Sequence, residues 1–417
     1  IVTAANLSFS REDGSAITEI TGGNAYVKAN IINTTADPCN VTVSAMGYKE
    51  GALKQHVSGT VPVAAMSAYE LKDTDIAPLD LTDSDAARIT VELIEPDGSR
   101  RPVTKGFVIG TEAENADDIT VSGAAPNAAE TEAVIEVYAP APGNTLVYKT
   151  QTTLGKSGEY EVKCNLPDGN DASGMYSVKV YADGYSDDYT VLFTNPSKAE
   201  NVLEEKLKPA IASGNADSAG DILFTHHYDL FVDNKYIDEQ TADKAAALLL
   251  SYGNNRLTAE NAKTVINKAV AIAALNRGKI TNLFSEPKIF DLDNSAVKNV
   301  YKADYVTSAA AESISSRLSA AEYDKISDFD DALVNNFVFE IIKNPSRPGS
   351  IEEVCKLVGL SGYVSGAYDS ISGNTYTTVK AIKDALDKYG SKNSNSQSGG
   401  GAGGGKSSIG SSKDAIN

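Results

Sequence analysis

The sequence predicts a multidomain protein in which two all-β sandwiches precede an all-α domain. Three observations predict this order. The chain has 417 residues, which is too many for one ordinary domain. Apolar residues alternate with period two through residues 1–196, as in strands with one buried face. After Pro196 the apolar period becomes 3.6, which is the period of amphipathic helices.

Residues 1–112 form the first predicted domain, an immunoglobulin-like sandwich. Turn signals such as Asp37-Pro38 and Pro96-Asp97-Gly98 separate its short alternating segments. Many short strands at this spacing are typical of an antiparallel sandwich. The residues expected on the buried faces are Ala25, Val27, Ala29 and Ile31, then Val41, Val43 and Ala45, then Ile89, Val91 and Leu93.

Residues 117–196 form the second predicted immunoglobulin-like sandwich. The pattern SGxYxVK occurs at 157–163 and again at 173–179, which indicates two strands entered by similar turns. Tyr176, in the second copy, has two open interpretations. Its hydroxyl either pins a corner of the sandwich or belongs to an ordinary tyrosine at the edge of the core.

Residues 197–390 form the predicted helical domain. Capping boxes at Ser197–Glu200 and Ser350–Glu353, and an N-cap at Thr258, predict three helix starts. A last amphipathic helix is expected to end near Gly390. The apolar pattern that begins at Leu249 returns 92 residues later, at Ile341, which suggests an internal duplication of 201–283 and 293–370.

Residues 391–417 have the composition of a Gly/Ser-rich flexible linker. Inside them, residues 400–407 fit the phosphate-loop pattern GxxxxGK[ST]. A phosphate loop needs a strand before its glycines and a helix after them, and neither is predicted here. We therefore expect no nucleotide binding. We also expect the natural protein to continue past Asn417, and the start at Ile1 indicates either a processed chain or an excised fragment.

The net charge is −19, with 37 basic and 56 acidic residues. Such a surface repels phosphate backbones and anionic lipids, so we expect no nucleic acid partner. No apolar run has the length of a membrane span, so we expect no membrane insertion. Cys39, Cys164 and Cys355 lie far apart without a CxxC pair, so neither a zinc site nor a disulfide framework is predicted.

The sequence offers two kinds of candidate site, a histidine pair and several acidic runs. His226 and His227 are adjacent and would point about 100° apart on a helix, so a structural role is favoured over a metal or catalytic one. The third histidine, His56, belongs to another predicted domain. Acidic runs offer calcium ligands or solvated turns, and turns are favoured. These runs are Asp291–Asn294, Asp328–Asp331 and Asp187-Asp188.

No nucleophile with a recognisable base is found, so no catalytic, cofactor-binding or metal residue is assigned and the chain is expected not to be an enzyme. The absence of tryptophan disfavours sugar chemistry, whereas the 20 tyrosines leave a glycan-binding surface open. Tyrosines gathered into an exposed patch on one sheet face would favour binding over a spacer role.

The chain resembles the accessory region of large cell-surface proteins of Gram-positive, Clostridia-type bacteria that carry S-layer homology repeats. The resemblance rests on the paired SGxYxVK strands and on three further segments: Ala29–Thr35 with Tyr48–Leu53, the helical stretch Ala269–Asn276, and the late glycine-rich segment. It implies an extracellular, cell-surface stalk or interaction unit. Flanking repeats absent from this chain would bind cell-wall polysaccharide. Two alternatives stay open: an adhesin that binds a surface glycan or protein, and the accessory region of a polysaccharide-degrading enzyme.

Overall fold

The computed structural model describes residues 1–396 apart from residues 170, 304 and 348. The predicted order is confirmed at the level of fold class: antiparallel sheets come first and helices follow. Residues 1–210 together with 221–237 form one compact unit. Residues 211–220 together with the described residues from 238 to 396 form another.

Two sheets of the first unit enclose one apolar core, and we call them together the first sandwich. One sheet has the strand order β2-β1-β3-β6, with β7 beside β3; the other has the order β10-β8-β4-β5, with β9 beside β8. All their pairings are antiparallel. The strands are β1 (Val2–Ser10), β2 (Ala16–Ile17), β3 (Asn24–Asn33), β4 (Cys39–Lys49), β5 (Ala52–Val63), β6 (Ser67–Glu70), β7 (Leu79–Asp80), β8 (Ala86–Ile94), β9 (Arg100–Pro102) and β10 (Phe107–Gly110).

The alternating pattern correctly predicts the inward faces of the first sandwich. All the residues expected on the buried faces of β3, β4 and β8 lie in its core. Alternation places branched and small apolar side chains on one side of each strand, so two sheets bury them against each other. Close backbone approaches are made possible by glycine. At Gly110, for example, φ is +78° and an added Cβ would lie 2.1 Å from the Asp85 carbonyl oxygen.

The second sandwich also pairs two antiparallel sheets, of order β11-β14 and β13-β12-β15-β16. The two SGxYxVK segments enter β14 and β15, which belong to different sheets and are not neighbours. Tyr176 is fully buried, and its hydroxyl donates to the Ala172 carbonyl at 2.9 Å, so it holds the turn before its own strand. The strands are β11 (Ile119–Ala124), β12 (Glu132–Tyr138), β13 (Leu146–Thr153), β14 (Glu159–Cys164), β15 (Gly174–Ala182) and β16 (Tyr185–Phe193).

The helices follow from Pro196, as the change of period predicts, and a π-helical turn (Leu203–Leu207) separates the first two. Helix α5 is buried all round from Ala269 to Leu275, so it is the central helix of the second unit's core. The helices are α1 (Pro196–Val202), α2 (Lys208–Ala212), α3 (Ala216–Thr225), α4 (Glu239–Tyr252), α5 (Ala262–Asn276), α6 (Lys298–Lys302), α7 (Ser308–Ser319), α8 (Ile326–Lys343), α9 (Ser350–Leu357), α10 (Ser365–Ile371) and α11 (Val379–Ser396).

The predicted helix caps are wrong by one to three residues. Asn195, not Ser197, caps α1 through its side chain, because Pro196 is well placed at the first helical position. Thr258 begins a turn, and α5 starts only after Asn261. Gly349 is the N-cap of α9, which makes Ser350 helical.

The end of the last helix is also corrected. Helix α11 continues past Gly390 to Ser396, so the first six residues of the predicted linker are helical. The remainder of that segment, including the phosphate-loop match at 400–407, lies outside the described residues. Helix–loop–helix pairs occur at both places of the predicted duplication, as α4–α5 and α8–α9. The duplication itself stays a prediction.

Candidate functional site

The outward face of β4 and β8 is covered, although the sequence marks it as polar. Strands buried on both faces are normally apolar throughout. Here, however, Ser44, Thr90 and Glu92 are buried on the side away from the core of the first sandwich. Met46 and Tyr48 of β4 instead belong to the core of the second sandwich. The two sandwiches therefore meet sheet against sheet within one unit.

A cluster of four charged side chains lies in this interface, and we call it the charge cluster. It consists of Glu92 and Arg100 from the first sandwich and Glu136 and Lys149 from the second. The Lys149 Nζ lies 2.6 Å from Glu92 Oε1 and 3.0 Å from Glu136 Oε1. Arg100 pairs with the other oxygen of each carboxylate, at 3.2 Å from Glu92 Oε2. Two cations thus bridge two carboxylates in a closed, neutral ring.

Sheet register explains how these side chains come together. Lys149 lies directly opposite Glu136 on the neighbouring strands β13 and β12. Glu92 is likewise opposite Pro102 on the short hairpin of β8 and β9 that carries Arg100. Each sandwich therefore presents a carboxylate and a cation side by side. The exposed fraction of the side chain is 0% for Glu92, 3% for Glu136 and 2% for Lys149.

Hydrogen bonds to uncharged acceptors surround the charge cluster and also cross the interface. Lys149 Nζ donates to the Ser44 hydroxyl at 3.2 Å, and the Tyr48 hydroxyl donates to the Lys149 carbonyl. Nearby, the Arg88 guanidinium donates to the Gln151 carbonyl at 2.8 Å. Because buried charges are costly unless they are paired and hydrogen-bonded, this shell is what allows the cluster to be buried.

A second contact ties the sandwiches together near the turn between β4 and β5. The Asn165 backbone N–H donates to the Gly51 carbonyl at 3.1 Å, and its side-chain amide donates to the Glu50 carbonyl at 2.6 Å. Its side-chain oxygen accepts from the Asp117 N–H at 3.0 Å. One asparagine thus joins both sandwiches and the segment that connects them.

The electrostatics of the cluster favour charged side chains. Burial alone would raise the pKa of Glu136, but Lys149 and Arg100 outweigh it and lower the pKa to about 2. Burial would lower the pKa of Arg100, and the carboxylates of Glu92 and Glu136 raise it instead. Glu136 is therefore ionised at neutral pH, and the guanidinium keeps its proton.

This geometry suits attachment and does not suit turnover. An acid–base pair must reach a substrate, whereas the carboxylates of the charge cluster are closed off from solvent. An amine that acts as a nucleophile must be neutral, whereas Lys149 lies between two carboxylates. What the arrangement does chemically is hold two domains in one orientation.

The histidine pair does not form a joint site. Both residues follow α3 in a turn. His226 contacts Lys206 at 2.9 Å and Asp229 at 3.2 Å, while His227 contacts the Phe224 carbonyl at 2.7 Å. The two rings are thus held by different partners. The third histidine, His56, is half-buried on β5, opposite Met46.

The acidic runs serve as turns, caps and ion pairs. Asp291 accepts from the Asn294 amide at 2.9 Å, Asp330 pairs with Lys268, and Asp328 lies in the first turn of α8. Within the described part of the chain, no three metal-ligating side chains converge. The three cysteines, all within that part, are free thiols.

The tyrosines of the second sandwich lie on both sides of its larger sheet. Tyr160, Tyr185 and Tyr189 gather on the core side near β16, where the Tyr160 and Tyr189 hydroxyls are 3.4 Å apart. Tyr138 and Tyr181 lie on the opposite side, and cations cover their rings: Lys179 is 5.5 Å from the first and Arg100 is 4.3 Å from the second. They do not form one exposed patch.

Sequence reasoning missed the charge cluster. In the sequence, Glu92 and Lys149 are charged residues at outward positions of their strands. Such positions normally face solvent, so nothing in the sequence distinguishes these two residues from ordinary surface charges. Among the described residues, no helix combines the length and hydrophobicity needed to span a membrane.

Comparisons with known proteins add little to this geometry. The chain matches no protein-family model and no curated protein. It is similar to the solved structure of red sea bream transglutaminase, with 15% identity over 45% of this chain and 31% of that one, at a TM-score of 0.19. It is also similar to a tetra-tandem repeat in the extending region of a large adhesion protein, with 13% identity over 46% and 48% and a TM-score of 0.17.

A third similar structure is native alpha-2-macroglobulin from Escherichia coli, spanning domain MG7 to the C-terminus. The identity is 9% over 93% of this chain and 54% of that one, and the TM-score is 0.19. The chain thus spans between about a third and about half of the three structures. Because every TM-score is far below 0.5, none of these similarities supports a fold or a function.

Proposed function

We propose that this chain is a non-catalytic spacer and interaction unit of a larger extracellular, cell-surface protein, with immunoglobulin-like sandwiches as its rigid part. The observation that carries the proposal is the charge cluster. A flexible linker would let two sandwiches move independently, whereas a ring of ion pairs with both carboxylates buried fixes their angle. A stalk that holds a ligand-binding end away from the cell wall needs that stiffness.

The composition supports an exported location. The chain is strongly acidic and poor in cysteine, and it resembles the accessory regions of Clostridia-type surface proteins. Attachment would come from flanking repeats that bind cell-wall polysaccharide. An intact mass of the native protein from the cell envelope tests this part. Peptides that continue past Asn417 support it, and a secreted product ending there contradicts it.

Stiffness is tested by cutting the connection between the sandwiches. A protease site inserted between Glu114 and Asn115 lies in an exposed segment. After cleavage we expect both fragments to elute together on size exclusion, because the interface holds them. With Lys149→Met in the same protein they should separate, whereas Lys163→Met, at an exposed ion pair, should not separate them. Fragments of the parent that separate on cleavage would refute a rigid pair.

A binding function is the second candidate. Two clefts adjoin the β15–β16 turn, with volumes of about 560 Å³ and about 310 Å³. Both are within or near the size range of ligand sites, which run from roughly 300 to 1,000 Å³. The covered faces of Tyr138 and Tyr181 disfavour stacking of a sugar ring there. This candidate therefore favours a protein ligand over a glycan.

A further inference from the structure

One edge of the second sandwich is open. Strand β16 pairs with β15 over all nine of its residues and has no strand on its other side among the described residues. Four of its residues, Ser186, Asp187, Asp188 and Thr190, are exposed. A long open edge offers a row of backbone groups to an incoming strand.

The orientation of the backbone groups on β16 follows from the hairpin. Ala182 and Tyr185 flank a two-residue turn and form the closing pair, so alternate residues beyond them face outward. This places the N–H and C=O groups of Ser186, Asp188 and Thr190 on the open edge. The Asp188 N–H confirms the assignment, because it donates to the Asp187 carboxylate at 2.9 Å.

The Asp187 carboxylate therefore blocks a backbone amide in the middle of the open edge. One carboxylate oxygen occupies the Asp188 N–H, and the other accepts from the Tyr185 hydroxyl at 3.1 Å. A neutral strand would have to displace this carboxylate without compensation. An added strand with a lysine or arginine opposite Asp187 would form an ion pair with its carboxylate. The Asp188 N–H would then be free to bond to the backbone of the added strand.

The surroundings favour the same chemistry. Asp183, Asp187 and Asp188 are exposed within six residues of one another, and the chain as a whole carries −19. A second copy of the chain is therefore repelled, and a basic segment is attracted. The cleft of about 310 Å³ lies beside the edge, lined by Lys179, Tyr181, Ser186, Asp187 and Asp188, and gives room for one side chain of an added strand.

We propose that the open edge of β16 binds an extended, lysine- or arginine-bearing polypeptide segment as an added antiparallel strand. The inference rests on the proposed function as an interaction unit and names the class of partner. Backbone hydrogen bonds to Ser186 and Thr190 supply the pairing. The carboxylates of Asp187 and Asp188 supply the selectivity for basic residues.

The test measures binding of a fluorescent nine-residue peptide of alternating lysine and threonine to the full chain by fluorescence anisotropy. Thr190→Pro removes an outward amide, and we expect it to weaken binding by about ten-fold or more. Thr190→Val keeps the amide and should bind like the parent. Circular dichroism checks that both variants fold. If Thr190→Pro does not fold, a peptide whose alternate backbone amides are N-methylated replaces it. This peptide cannot donate the same strand-pairing hydrogen bonds, so its binding to the parent should be weakened in the same way.

Charge selectivity is measured with a second peptide in which glutamine replaces lysine. The parent should prefer the lysine peptide, and Asp187→Asn should reduce that preference several-fold. Asp168→Asn is the matched control, because Asp168 is fully exposed on a loop of the same sandwich. Equal binding of both peptides to the parent would overturn the selectivity for basic residues.

Two further outcomes would overturn the proposal. One is no detectable binding of the lysine peptide, and the other is binding that Thr190→Pro and peptide methylation leave unchanged, which would indicate charge attraction without strand pairing. Binding of the neutral polysaccharide dextran at β16, lost in Asp187→Asn but retained in Thr190→Pro, would replace it with a carbohydrate surface. The cleavage experiment between Glu114 and Asn115 is independent of all these outcomes. Absence of peptide binding at β16 would therefore not contradict the rigid pairing of the two sandwiches.

Discussion

Removing the Lys149 ammonium should open the interface between the sandwiches. The charge cluster contains two cations and two carboxylates, so Lys149→Met leaves one uncompensated negative charge. The side chain is only 2% exposed, so water cannot take its place. Breaking a buried ion pair from one side costs about 3–5 kcal/mol. We expect a loss of that size in the free energy of local opening.

Hydrogen exchange followed by mass spectrometry measures that free energy segment by segment. Amides of β12, β13 and β4 should lose protection by about a hundred-fold to several thousand-fold, since each 1.4 kcal/mol is a factor of ten. Lys163→Met, which removes an exposed ion pair at 3.8 Å, should change protection little.

A double variant separates charge from packing. Glu92→Gln in the Lys149→Met background restores a neutral cluster and should recover much of the lost protection. If Lys149→Met behaves like Lys163→Met, or if the double variant is less protected than the single one, the charge cluster does not hold the interface.

Three further predictions concern acid, a turn and the thiols. The pKa of Glu136 is about 2 in the folded state, against an ordinary 4.5. The ionised carboxylate therefore stabilises the fold by an amount on the order of 3 kcal/mol, which is complete above pH 4.5 and lost as the pH falls toward 2. Glu136→Gln should flatten the pH dependence of urea unfolding between these two pH values. Gly110→Ala should destabilise the first sandwich by about 1–3 kcal/mol more than Gly98→Ala. Both glycines have a positive φ, but only at Gly110 does a carbonyl lie within 4 Å of the added Cβ. Equal shifts of the thermal unfolding midpoint in the two variants would contradict this. Burial raises the pKa of Cys164 and of Cys355 to about 12, so a maleimide at pH 8 should label half-buried Cys39 first; labelling of the other two at the same rate would contradict their burial.

The sequence predicts the inward half of this fold well. Alternation at Ala25–Ile31 and at Val41–Ala45 reports which side of a strand is apolar, and that side becomes the core. The sequence predicts cap positions less precisely, because Asn195 and Ser197 are both good caps and Pro196 decides between them through its fixed φ.

The outward half could not be predicted from a local pattern. Period two correctly assigns Glu92 and Lys149 to the polar side of their strands. It does not show whether that side contacts solvent or a second sandwich. Their contact joins residues 57 positions apart in the sequence through a docking of two sheets. Only the tertiary arrangement converts two ordinary polar positions into a charge cluster.

The closed ring of ion pairs has a consequence for how such proteins can be recombined. Each sandwich contributes one acid and one base, and each acid is neutralised partly from the other side. A first sandwich joined to a foreign partner would bury Glu92 without Lys149 and fail to dock. The exchangeable building block is therefore the pair of sandwiches, and a graft into another protein should span residues 1–196.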